Sequence, residues 1–121
     1  MSGAGSVRRV PLLTIAHGRS GDKGDTVNIG VAARHAVFYP ILLEQLPPAR
    51  VAAHFGPLVQ GPVERFELPN RAALNFLLHR ALDGGGTVSL MLDSLGKTYA
   101  YALMRLEVDV PVELLEQASH G

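Results

Sequence analysis

Cysteine is absent from this chain, which removes disulfides and thiolate chemistry and fits a reducing, cytoplasmic setting. Net charge is absent too. Eleven Lys and Arg balance eleven Asp and Glu, so the chain carries no electrostatic footprint for nucleic acid or an anionic membrane, and little charge to oppose self-association. No long apolar run occurs either. Pro11 and His17 bracket a short one near the amino terminus, so neither a signal peptide nor a membrane span is expected. Internal repeats and low-complexity segments are also missing.

What is present suits one folded domain. The 121 residues are 47% hydrophobic and 18% charged, enough to bury about two thirds of the unfolded surface in a single core. Residues 1–9 are expected to be a flexible tail, 10–112 the domain, and 113–121 a tail or short helix.

Apolar periodicity supplies the elements. Val10 to Ala16 and Val27 to Ala33 are short apolar runs bounded by turn residues, expected to be paired strands. Phe38, Ile41, Leu42 and Leu46 recur at helical spacing until Pro47 and Pro48, and Pro48 can open a second helix over Ala49 to His54. Val63 to Leu68 reads as a strand ended by Pro69. Asn70 can then cap a helix to Leu82, placing Asn75 and His79 on one helical face. Gly84, Gly85 and Gly86 would end that helix. A hairpin turning at Asp93 to Gly96 is expected between Val88 and Val110, with Tyr99 and Tyr101 together on one strand face. These elements predict an α+β two-layer sandwich, a mostly antiparallel sheet with helices on one face.

The unusual chemistry lies between the first two strands, in His17-Gly-Arg-Ser-Gly-Asp-Lys-Gly-Asp-Thr-Val-Asn-Ile-Gly30. A loop that merely turns the chain has no use for this many convergent polar groups. Gly21, Gly24 and Gly30 permit close backbone approach, amides in such a turn bind anions, and Arg19 or Lys23 supplies countercharge. The predicted ligand site is therefore Arg19, Ser20, Gly21, Asp22, Lys23, Gly24, Asp25 and Asn28, with a phosphate, carboxylate or acyl-CoA as guest. The spacing matches neither a phosphate-binding P-loop nor the dinucleotide fingerprint. The oxygen ligands Asp22, Asp25 and Asn28 lack the pattern of a calcium loop, and His17 has no second His or Cys at zinc spacing, so no metal and no cofactor are expected. His17 and Asp22 are the candidate catalytic groups, His17 as a general base. The alternative is structural: the aspartates cap amides and pair with Arg19 and Lys23.

The run Arg19-Ser-Gly-Asp-Lys-Gly-Asp-Thr-Val-Asn-Ile-Gly-Val31 resembles the carboxy-terminal module of AtuA-type acyclic terpene utilisation proteins. Glu64-Arg-Phe-Glu-Leu-Pro-Asn70, Ala73-Leu-Asn-Phe76, Gly84-Gly-Gly86, Ser89-Leu90 and Gly96-Lys97 extend that resemblance from about Leu12 to Pro111, while Met91 and Leu95 depart from it. The resemblance implies a ferredoxin-like fold, here without an iron–sulfur cluster because the usual thiolates are missing. It also implies bacterial catabolism of acyclic terpenes such as citronellol and geraniol through acyl-CoA intermediates, beside a much larger domain. Three functions compete on this basis. The first is an accessory subunit bound to a large AtuA-type partner, its charged segment meeting an anion. The others are a stand-alone acyl-CoA lyase or hydratase and a homo-oligomerisation module using Tyr99 and Tyr101.

Overall fold

The computed structural model describes residues 6–81 and 99–120. Its elements follow in chain order: β1 (Val7–Pro11), β2 (Ala16–Lys23), β3 (Thr26–Ala33), α1 (Tyr39–Gln45), α2 (Pro48–Phe55), β4 (Val63–Leu68), β5 (Ala73–Leu78), a helix α3 covering 99–104, β6 (Glu107–Pro111) and α4 (Val112–His120). Strands β2, β3, β5 and β4 form, in that order, a four-stranded antiparallel sheet. β1 and β6 form a separate antiparallel pair. The class is α+β, with mostly antiparallel sheet and helices over one face.

One side of the sheet is apolar because the pairing register aligns Val27 with Leu78, Ile29 with Phe76 and Val31 with Leu74, all fully buried. The helices answer with Phe38, Ile41, Leu42, Leu46, Val51 and Phe55, and the β1–β6 pair adds Val10, Val108 and Val110 to the same cluster. Burying six residues of this size from one helical stretch contributes on the order of 10 kcal/mol of gross hydrophobic driving force. The predicted helix pair is present. Pro48 stands in the first turn of α2, where its missing amide costs no helical bond, and Gly56, at φ 58°, ends it. Strand β4 also lies where the apolar pattern put it.

Four expectations are overturned. Val10 to Ala16 is not one strand: β1 ends at Pro11, a single 3-10 turn carries Leu12 to Thr14, and β2 begins at Ala16. The charged segment is consequently strand for most of its length, and its turn is Gly24 and Asp25 alone. The helix from Asn70 to Leu82 is absent. Pro69 to Arg71 form a 3-10 turn and Ala73–Leu78 is the central strand β5, because Leu74, Phe76 and Leu78 alternate inward between two hydrogen-bonded neighbours. Residues 99–104 are helical rather than extended. The buried set Tyr99, Ala100, Leu103 and Met104 has helical spacing, and Tyr101 is exposed, so the two tyrosines share no strand face. The hairpin turn at Asp93 to Gly96, with Val88 to Met91 and Lys97, and the glycines 84–86 lie outside the described residues. Strand pairing already begins at Val7, within the stretch expected to be a tail.

Side chains join the layers at defined points. The Gln45 amide donates from Nε2 to Asp109 O at 2.5 Å and accepts from Asp109 N at 2.8 Å, so it extends the hydrogen bonding of β6. Arg65, facing the helical layer from β4, donates from Nη1 to Leu43 O (2.8 Å) and Leu46 O (3.1 Å), capping the carbonyl end of α1.

Candidate functional site

The pleat sorts the charged segment. Along β2, Ala16, Gly18 and Ser20 oppose Ala33, Val31 and Ile29, on the core side. A Cβ added at Gly18 would stand 2.9 Å from Met104 Cε, which confirms that direction. His17, Arg19 and Gly21 oppose Ala32, Gly30 and Asn28, on the side that no helix among the described residues covers. His17, Arg19 and Asn28 are exposed there. Asp22 and Lys23 pair with Val27 and Thr26 at the hairpin end.

Gly24 has φ 63° and Asp25 does not have positive φ, the pattern a two-residue hairpin needs with glycine first. Gly21 and Gly30 lie in extended strand, so the expected nest of amides does not form around them. Asp25 contributes its carbonyl, which accepts from Ala81 N at 2.9 Å and ties the hairpin tip to the end of β5. Among the described residues Arg19 makes no ion pair with Asp25. The ion pairs found among them are Arg9–Asp109 and Arg65–Glu67. About 17 Å of strand separates His17 from Asp22, at roughly 3.4 Å per residue. No group of three His, Asp or Glu able to hold a metal is gathered among the described residues.

The uncovered side of the sheet instead assembles residues distant in sequence. One row crosses all four strands as Arg19, Gly30, Asn75 and Phe66. The rows beside it are His17, Ala32, Ala73 and Leu68, and Gly21, Asn28, Leu77 and Glu64. Asn75 Oδ1 lies 3.9 Å from where a Gly30 Cβ would stand, so the amide reaches over bare backbone in the middle of the sheet. His79, in the turn just after β5, sets Nε2 2.7 Å from Glu64 Oε1. The expected helical face of Asn75 and His79 is absent; the Glu64 contact instead brings the His79 ring to the same side of the sheet as Asn75. Phe66 and Leu68 are 44% and 42% exposed, large apolar side chains on the edge strand β4 next to Asn75, with Arg19 on the opposite edge strand β2.

A family model described as AtuA ferredoxin-like domain matches residues 10–109. The chain belongs to this family. No curated protein and no solved structure matches it. The AtuA ferredoxin-like domain here thus combines a helix-covered sheet with an open opposite face. That face takes in Arg19, Gly21 and Asn28 from the expected site and leaves Ser20 on the other side. Phe66, Leu68 and Asn75 complete it, and the sequence carries a trace of this: in Val63-Glu64-Arg65-Phe66-Glu67-Leu68 the apolar residues change parity between Val63 and Phe66, pointing two of them away from the core. No helix among the described residues is long and apolar enough to cross a membrane.

Proposed function

We propose that this domain is an accessory module that docks the open face of its sheet on the large domain of an AtuA-type protein in acyclic terpene breakdown through acyl-CoA intermediates. Phe66 and Leu68 form the apolar centre of the contact. Arg19 and the β2–β3 hairpin lie at its edge and meet an anionic group, either of the partner or of its acyl-CoA. The observation that carries this reading is the exposure of Phe66 and Leu68 on the sheet face opposite the core. Apolar side chains of this size ringed by polar ones mark contact surfaces. Membership of the family supports the choice of partner, and polar Asn75 beside the apolar pair, with Asn28 and Arg19 farther across the same face, suits an interface whose rim remains hydrated.

The test is binding of the full chain to the purified large AtuA-type domain, read by calorimetry or analytical ultracentrifugation. Phe66→Asp and Leu68→Asp should each weaken association at least tenfold, the effect of removing a buried interface anchor. Leu58→Asp, a substitution of a more exposed apolar residue after α2, should leave it unchanged. Association indifferent to Phe66 and Leu68 would refute this docking mode. Arg19→Gln should slow association most at low salt if the charge at the edge steers an anionic surface.

A further inference from the structure

A cavity of about 470 Å³ opens between α2 and the turn joining α3 to β6, lined by Arg50, Ala53, His54, Arg105, Leu106 and Glu107. None of these residues belongs to the open sheet face. Arg50 and His54 are four apart on α2 and so share a side of that helix. Arg105 follows the last residue of α3 and is exposed, while buried Leu106 supplies an apolar floor.

Arg50 and His54 are held by backbone carbonyls rather than by carboxylates. Arg50 donates from Nη1 to Gln45 O at 3.0 Å and from Nη2 to Glu107 O at 2.5 Å, which fixes the plane of its guanidinium. Two of its five N–H groups are used in this way, and three remain. His54 Nε2 lies 2.6 Å from Ala102 O. A carbonyl can only accept, so that nitrogen carries the hydrogen and Nδ1 is the other ring position. Among the described residues no carboxylate lies within ion-pair distance of Arg50 or Arg105, although Glu107 belongs to the same rim. Both guanidinium groups line this cavity and neither is neutralised by an ion pair, so an oxyanion placed there would accept from both while Glu107 stays at the rim.

We propose that this cleft binds a phosphoryl group, as inorganic phosphate or at the end of a phosphate ester. A carboxylate presents two oxygens and is matched by one guanidinium fork. Two guanidinium groups offer more donors than that, and a phosphate has the oxygens to accept them. The volume lies within the range of small-ligand sites and exceeds what one phosphate fills, leaving space for the organic part of an ester against Leu106 and Ala53. Orientation of Arg50 by two carbonyls lowers the ordering cost of binding.

Titration of the full chain with inorganic phosphate, glycerol phosphate and acetate at matched ionic strength tests this, with arginine Nε–Hε and His54 ring signals followed by NMR. Saturable shifts at Arg50, Arg105 and His54 are expected with both phosphates, with acetate at least tenfold weaker. Tighter binding of glycerol phosphate identifies an ester as the guest, and equal binding identifies the bare phosphoryl group. Arg105→Gln should weaken phosphate about tenfold with the backbone spectrum unchanged, since the Arg105 side chain makes no hydrogen bond to the described residues. Arg50→Ala also removes the bonds to Gln45 and Glu107, so Arg50→Lys is the companion variant: it keeps the charge, loses the fork, and should bind more weakly. Absence of a saturable shift, acetate binding equal to phosphate, or undiminished binding by Arg105→Gln would overturn the assignment.

Discussion

The Tyr99 hydroxyl lies 2.6 Å from Ala81 O and 3.1 Å from Leu58 O, and so fastens α3 both to the end of the strand layer and to the segment after α2. Its ring stacks on Phe55 at 5.2 Å between centroids, which leaves the hydroxyl aimed inward. Tyr99→Phe keeps the stacking and loses the donor, leaving two carbonyls short of a partner. A loss of about 1–2 kcal/mol is expected in urea unfolding.

The same burial raises the Tyr99 pKa above its ordinary 10.0. The unfolded chain then ionises at lower pH than the folded one. The stabilisation is complete below about pH 10 and is lost as pH rises from there toward the folded value. Urea midpoints measured from about pH 9 to pH 11 should fall less steeply for Tyr99→Phe than for the parent chain. Parallel curves would rule out Tyr99 as the source.

Arg65 is charged and mostly buried, and its contacts explain why it faces the helices. It closes the carbonyl end of α1 through Leu43 O and Leu46 O, with Glu67 Oε2 at 3.0 Å holding the other nitrogen. Arg65→Met should cost about 1.5–3 kcal/mol in equilibrium unfolding. Arg65→Lys should recover only part of this, because an ammonium on a single stem does not reproduce the planar fork.

Gly61 and Gly18 differ in what a methyl group would meet. At Gly61 it would lie 2.7 Å from His79 O, a backbone atom held by the Gly61 N to His79 O bond, whereas at Gly18 it would meet the mobile end of Met104. Gly61→Ala should therefore destabilise by about 1–3 kcal/mol and Gly18→Ala by less than about 1 kcal/mol, measured as shifts in thermal unfolding.

Tyr39 Oη is buried and has no hydrogen-bond partner among the described residues. Removal of an unsatisfied donor carries no contact loss, so Tyr39→Phe should leave stability unchanged or raise it by up to about 1 kcal/mol in the same unfolding assay.

Parts of the fold and site were legible because the relevant pattern was local. The helix pair over Tyr39–Phe55 could be read from Ile41, Leu42 and Leu46 at helical spacing and from prolines where a helix tolerates them. Strand β6 could be read from Val108 and Val110 alternating with exposed Glu107 and Asp109. Ala73–Leu78 was ambiguous. Ala73, Leu74, Leu77 and Leu78 fit a helical stripe, and Leu74, Phe76 and Leu78 fit a strand equally well. Sandwiching between β3 and β4 resolves it, since a central strand satisfies its backbone on both sides and can bury apolar residues on one face while half-burying Leu77 on the other.

The sequence by itself determined a single core, an α+β class, the positions of the two proline-framed helices and a family signature concentrated in residues 19–31. It also placed a polar cluster there, by composition alone. Tertiary structure decided which of those polar residues share a face. Strand periodicity is two, so once Gly24 closes the hairpin and sets Lys23 opposite Thr26, Arg19 and Ser20 must point to opposite sides of the sheet. The same register brings Arg19 into one row with Asn75 and Phe66, some fifty residues away along the chain. No local pattern encodes that row, because it exists only when four strands pair in the order β2, β3, β5, β4. The Arg50, His54 and Arg105 cleft depends likewise on the packing of α2 against the α3–β6 turn, where backbone carbonyls rather than neighbouring acids hold the charged side chain in place.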